Sequence, residues 1–238
     1  MIQAFLPLLL LLALLAFVAW RWWGRSSSGG TGYMLGWAVA KGLIPGDPPL
    51  PGSTPTLSLP GGAANDPWQV PIGDATGLLF EWTWVIADDR TMTQREMDMP
   101  GCIRMGSATV VQATLAAGFP HFRVVPRHGW VAPAPAEDER ELELESVEFA
   151  RHFKLLVAAD GDHEMLLELF DPGTIVWLTG LGDSAPVIEY QLGTLAVVAH
   201  RECVEGADFD VLLEQAQHIA RRVLAEGLLH RPDAPAPA

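Results

Sequence analysis

Residues 2–23, IQAFLPLLLLLALLAFVAWRWW, carry Gln3 and Arg21 as their only strongly polar side chains. About 20 helical residues at 1.5 Å each span a hydrocarbon core of about 30 Å, so this run is long enough to cross a bilayer. Pro7 falls in the first turn, where its missing N–H costs little. Leu8, Leu12 and Leu15 occupy the lipid-facing interior of the run, and Trp20, Trp22 and Trp23 gather at its end beside Arg21 and Arg25. Aromatic and basic side chains in that order mark a lipid–water boundary. A secretory signal peptide places its positive charge before the apolar core and small residues at its exit; here the charge follows and tryptophan fills the exit. The run therefore reads as an uncleaved single-pass anchor in the cell membrane. The positive-inside rule puts the N-terminus outside and everything after Arg25 on the cytoplasmic side.

Fifteen Lys and Arg against 29 Asp and Glu give a formal net charge of −14. With Arg21 and Arg25 assigned to the anchor, 13 basic residues face 29 acidic ones, a net of −16 on the part that meets water. Such a surface repels phosphate backbones, which argues against nucleic acid as a partner, and it is expected to hold the domain off an anionic leaflet. Cys102 and Cys203 fit a reducing compartment.

The layout after the anchor is read as a flexible Ser/Gly tether over 26–32, then a short helix and a Pro/Gly-rich wrap over 33–77. A globular domain follows over 78–228, with a Pro/Ala tail over 229–238. The wrap carries eight prolines between residues 44 and 71, a density that forbids regular helix and central strand. Within the domain, Phe80, Trp82, Trp84 and Ile86 alternate with polar residues, predicting a strand with one buried face. Further strands are expected over 107–115, 122–126, 142–144 and 154–158, and a hairpin is expected to turn at Gly193-Thr194. Ser146 caps a single turn, Asp162 caps a helix over 163–170, and Asp171-Pro172 opens another. After Asp208 as N-cap, Phe209, Leu212, Leu213, Ala216, Ile219, Ala220 and Val223 fall on one helical face, and Gly227 closes the helix. Strands and helices without regular alternation give an α+β class: a mainly antiparallel sheet, short helices and a C-terminal amphipathic helix, behind the transmembrane segment.

The stretch Glu145-Ser146-Val147-Glu148-Phe149-Ala150-Arg151-His152-Phe153-Lys154, followed by Asp160, Leu166-Leu167 and Pro172, resembles a motif of a family of bacterial membrane-anchored proteins, many from actinobacteria. Residues 38–43 and 116–126 are similar to two further segments of that family; Ala150 stands where it has Asn, and Leu43 where it has Trp. The resemblance implies an N-terminal membrane segment followed by a small α+β domain of unknown function, and it assigns no catalytic residue.

The residues themselves offer little chemistry. The acidic run 137–148 could hold a divalent cation but reads as a solvated strand edge that resists edge-to-edge pairing. Asp160-Gly161-Asp162 lacks the spacing of a calcium loop. The histidines, His121, His128, His152, His163, His200, His218 and His230, show no metal-ligand spacing, and His218 falls on the polar face of its helix, where solvent exposure is expected. Trp82 and Trp84 could line a cavity but read as core. Gly182-Asp183-Ser184 has the letters of a hydrolase nucleophile in a loop that leads from helix to strand, not from strand to helix. The expectation is thus a domain with a binding or scaffolding role toward a protein partner at the membrane, without metal or cofactor. The alternative is a membrane-tethered hydrolase using Ser184 or a dispersed His/Asp/Glu set.

Overall fold

The structure is a computed structural model, and it describes residues 31–49, 62–85, 105–115, 118–128, 138–161, 163–199 and 203–229. The apolar run with Leu8, Leu12, Leu15, Trp20, Trp22 and Trp23 lies outside the described residues, as do most of the tether, the C-terminal tail, Cys102, Asp162, His200 and His230. Among the described residues no helix is long and apolar enough to cross a membrane.

In chain order the elements are α1 (Thr31–Ala40), β1 (Ala63–Ile72), β2 (Ala75–Val85), β3 (Met105–Thr114), β4 (Phe122–Pro126), β5 (Glu139–Glu141), α2 (Val147–His152), β6 (Phe153–Ala158), α3 (His163–Leu169), α4 (Pro172–Gly180), a 3-10 turn (Gly182–Ser184), β7 (Val187–Gln191), β8 (Thr194–Val198) and α5 (Gly206–Leu229). The strands form one eight-stranded sheet in the order β1-β2-β3-β8-β7-β4-β6-β5. Every neighbouring pair is antiparallel. The α+β class with a large antiparallel sheet is what the patterning predicted.

The proline-rich wrap turns out to contribute a strand. β1 carries Pro67 and Pro71 and lies at the sheet edge, where proline is tolerated because one side of the strand needs no ladder donor. A bulge between Asn65 and Trp68 absorbs the irregularity, with Asp66 at φ +46°. Residues 44–46 cover part of the outer side: the Gly46 N–H donates to the Pro67 carbonyl and the Gln69 N–H to the Ile44 carbonyl. That shields an edge which would otherwise offer itself to another chain.

Side-chain alternation divides the core. On one face Val70, Ile72, Leu79, Val111, Phe122, Val124, Leu155, Ile188, Tyr190, Leu195 and Val197 meet the helices, with Phe209, Leu212, Ala216, Ile219, Ala220 and Val223 of α5 laid across them. Phe119, Phe122, Phe149, Phe170 and Tyr190 form an aromatic cluster on this side; the Phe122 and Phe170 rings meet edge-on at 5.6 Å. The opposite face is buried too. Phe80, Trp82, Ala108, Val110, Val125, Leu156, Val187, Ala196 and Val198 form a second apolar cluster there. The expectation of a strand with a single buried face is therefore corrected: β2 sends Leu79 to the helices and Phe80 and Trp82 to the other cluster. The unbroken run of buried residues in β8 has the same cause.

Local signals hold with small shifts. Ser146 Oγ accepts the Phe149 N–H at 3.1 Å and Asp171 Oδ1 accepts the Thr174 N–H at 2.7 Å, so both N-caps form. Asp208 does not cap α5. It lies in the first turn and its carboxylate reaches back to the Val204 and Glu205 N–H groups, at 3.0 Å each, which is the return half of a capping box. The helix also runs through Gly227 to Leu229. The β7–β8 turn sits one residue earlier than expected, at Leu192-Gly193, with φ of +49° and +79°. Positive φ at both positions is the type I′ geometry that matches strand twist.

Candidate functional site

On β4 the even-numbered Phe122 and Val124 point to the helices, which sends Arg123 and Val125 to the opposite face. Arg123 is fully buried there. Its side chain reaches across β6 to the edge strand β5, where Nε donates to Oε1 of Glu139 at 2.8 Å and Nη2 donates to Oε2 at 2.5 Å. His121 Nε2 bonds the same Oε1 at 2.8 Å. Glu189, the cross-strand partner of Arg123 on β7, is also fully buried. One guanidinium thus lies among two carboxylates and an imidazole at the margin of the second apolar cluster. A two-point ion pair of this kind fixes geometry as well as charge. Each Glu139 oxygen accepts from this cluster and Arg123 is cut off from solvent, so the arrangement fastens β5 to the sheet.

The acidic run lies at a solvated sheet edge, with β5 outermost and Asp138, Glu141, Glu143, Glu145 and Glu148 exposed; Glu139 alone of these described carboxylates has a buried side chain. The strand expected over 142–144 lies instead at 139–141; Leu142 only donates its N–H to the Leu155 carbonyl at 2.8 Å, and Leu142 and Leu144 pack partly buried against the main core. Glu139 turns inward to Arg123, Glu141 pairs with Arg127, and Glu148 pairs with Arg151 at 2.9 Å and His152 at 3.1 Å. Glu139 and Glu141 thus pair with arginines on or just after β4, and Glu148 pairs within its own helical turn. Among the described residues no group of three or more His, Cys, Asp or Glu could hold a metal ion.

Ser184 lies in the 3-10 turn after α4. Its hydroxyl donates to the Leu181 carbonyl at 2.7 Å, and its own carbonyl accepts from Gln215 Nε2 at 3.1 Å. Among the described residues no histidine is hydrogen-bonded to it. Nearby, a groove of about 420 Å³ runs between α4 and α5, lined by Trp177, Leu181, Val211, Gln215, His218 and Arg221. His218 is not the solvated residue its helical position suggests: its ring stacks on Trp177 with centroids 4.1 Å apart. Burial, and then the positive charges of Arg221 and Arg222, hold its pKa below the ordinary 6.5. Trp82 is buried beside Phe80 with ring centroids 6.4 Å apart, and Trp84 packs partly buried against the same cluster, so both belong to core.

Arg123 and Glu189 went unread in the sequence because each occupies a position that alternation assigns to solvent. A signal did exist: Val125, Val187 and Val198 share that parity, and apolar residues at such positions say that the second face is covered.

An antiparallel α+β sheet with helices on one face and a buried ion cluster on the other is thus the class of fold. It is similar to the crystal structure of the mycobacterial trehalose monomycolate transport factor A, TtfA, with a TM-score of 0.50 and 12% identity, over 82% of this chain and 96% of that one. No protein-family model matches the chain, and no curated protein matches it in sequence.

Proposed function

We propose that this protein is a single-pass membrane protein, N-terminus outside, whose acidic cytoplasmic domain has a non-catalytic binding or scaffolding role toward a protein partner at the membrane. We further propose that it stands with the bacterial membrane-anchored family its 145–172 segment resembles. The observation that carries this reading is the internal commitment of its polar groups. Ser184 donates to the Leu181 carbonyl, and Glu139 is taken up by Arg123 and His121, so the side chains most suited to chemistry are spent on holding the fold. The likeness in fold to a transport factor is compatible with a binding role of this kind, and the apolar run 2–23 supplies the attachment.

Two experiments test it. A reporter fused after Ala238 is expected to be active only in its cytoplasmic form; extracytoplasmic activity overturns the topology. Crosslinking of the full-length protein in its native membrane, followed by affinity capture, is expected to recover a defined membrane partner. Recovery of none, together with hydrolytic turnover that disappears in Ser184→Ala, overturns the binding role.

A further inference from the structure

Helix α1 is apolar on every side. Between Gly32 and Lys41 it reads YMLGWAVA, without one charged or strongly polar residue. A helix of that character belongs either in a core or against lipid. Half of it meets the first condition: Met34, Trp37 and Ala38 are buried, the Trp37 ring lies 5.4 Å from Phe209, and Trp37 Nε1 donates to Asp210 Oδ1 at 3.1 Å. The other half does not. Tyr33 is 58% and Val39 64% exposed, and between them Gly36 and Ala40 complete one continuous outer face. A methyl group built on Gly32 or Gly36 would meet nothing within 4 Å, so no described element overhangs this face. Ile44, just past the helix, adds another exposed apolar side chain at 60%.

The chain outside the described residues says what can cover it. The apolar run ends at Trp23, and only the seven residues 24–30 separate it from Thr31. At 3.3–3.6 Å each they reach at most about 25 Å. Resting on the reading of that run as a membrane anchor, we infer that the outer face of α1, through Tyr33, Gly36, Val39 and Ala40, lies in the interfacial layer of the bilayer and sets the orientation of the domain on the membrane. Because Trp37 and Asp210 fix α1 to α5, a helix seated in the interface carries the whole sheet with it. The net negative charge does not oppose this locally. Lys41, the first charged residue after α1, is paired with Asp210 at 2.9 Å. Carboxylates farther than a Debye length of about 8 Å from the surface are largely screened.

The test uses the full chain in vesicles of phosphatidylcholine and phosphatidylglycerol, in a Cys102→Ala/Cys203→Ala background. A spin label is placed singly through Gly36→Cys, Ala40→Cys, Leu12→Cys in the apolar run, or Leu192→Cys at the exposed β7–β8 turn. Collision with dissolved oxygen is compared with collision with a water-soluble nickel chelate. Expected is a loss of nickel collisions with retained oxygen collisions at 12, 36 and 40, and strong nickel collisions at 192. Water-like behaviour at 36 and 40 with lipid-like behaviour at 12 overturns the inference and leaves the anchor standing. Loss of both collision types at 36 and 40 overturns it in favour of a second copy of the chain on that face. Water-like behaviour at 12 overturns the anchor and the inference together. Open space at Gly36 means that its substitution leaves the fold intact, which circular dichroism checks.

Discussion

Arg123 and Glu139 meet in a two-point ion pair on the sheet face away from the helices, with side-chain exposures of 0% and 1%. Burying two charges is unfavourable unless they compensate each other, and removing one leaves the other stranded. Arg123→Ala takes the guanidinium from buried Glu139 and from beside the facing, buried Glu189, whereas Glu139→Gln keeps an amide acceptor for Arg123 and leaves Glu189 across from it. Arg123→Ala is therefore expected to lower stability by about 3–5 kcal/mol, and Glu139→Gln by clearly less. Thermal unfolding of the full chain in detergent measures both, and equal losses would show that the cluster does not share charge as described.

The β7–β8 turn holds a strained residue. Leu192 adopts φ +49° and is 94% exposed, so its side chain returns nothing for the left-handed conformation. That conformation costs an L-residue with a Cβ about 1–2 kcal/mol, and glycine or asparagine carries it with less strain. Leu192→Asn or Leu192→Gly is expected to raise the unfolding midpoint, an uncommon direction for a single substitution. A lowered midpoint in both variants would contradict the turn geometry.

Gly106 faces Trp84 across the β2–β3 pairing, and a methyl group there would come within 2.4–2.7 Å of the indole. Either the ring leaves or the strand shifts. Gly106→Ala is expected to destabilise the domain by about 1–3 kcal/mol, the usual range for overpacking. Urea unfolding reads the loss. Combining it with Trp84→Ala restores part of the stability, because the clash disappears with the ring.

His218 titrates below 6.5 when folded and near 6.5 when unfolded. Its folded pKa is depressed, so as pH falls through 6.5 the unfolded chain takes up a proton first and stability drops; above 6.5 both states are neutral and the full stability is present. An NMR titration is expected to show the His218 ring titrating below the ordinary 6.5. His218→Phe keeps a stacking partner for Trp177 and is expected to flatten the loss of stability just below pH about 6.5. An unchanged slope would assign that pH dependence to other groups.

Local order was legible in the residues because local order has local causes. Ser146 and Asp171 announce their caps through a side-chain oxygen three residues from an unpaired N–H, and the α5 stripe from Phe209 to Val223 repeats at the helical period. Alternation likewise located most of the strands, and together these gave the α+β class. Sequence alone also yields the apolar run 2–23 and the acidic balance behind it. Only the tertiary structure decided the rest. β1 became an edge strand in spite of its prolines, because an edge asks for half the hydrogen bonds of a central strand. Arg123 found Glu139 two strands away, and α1 closed onto Asp210 from 173 residues away. These pairings depend on strand order and on which face each side chain takes, and a strand's period of two records alternation without saying what covers either side.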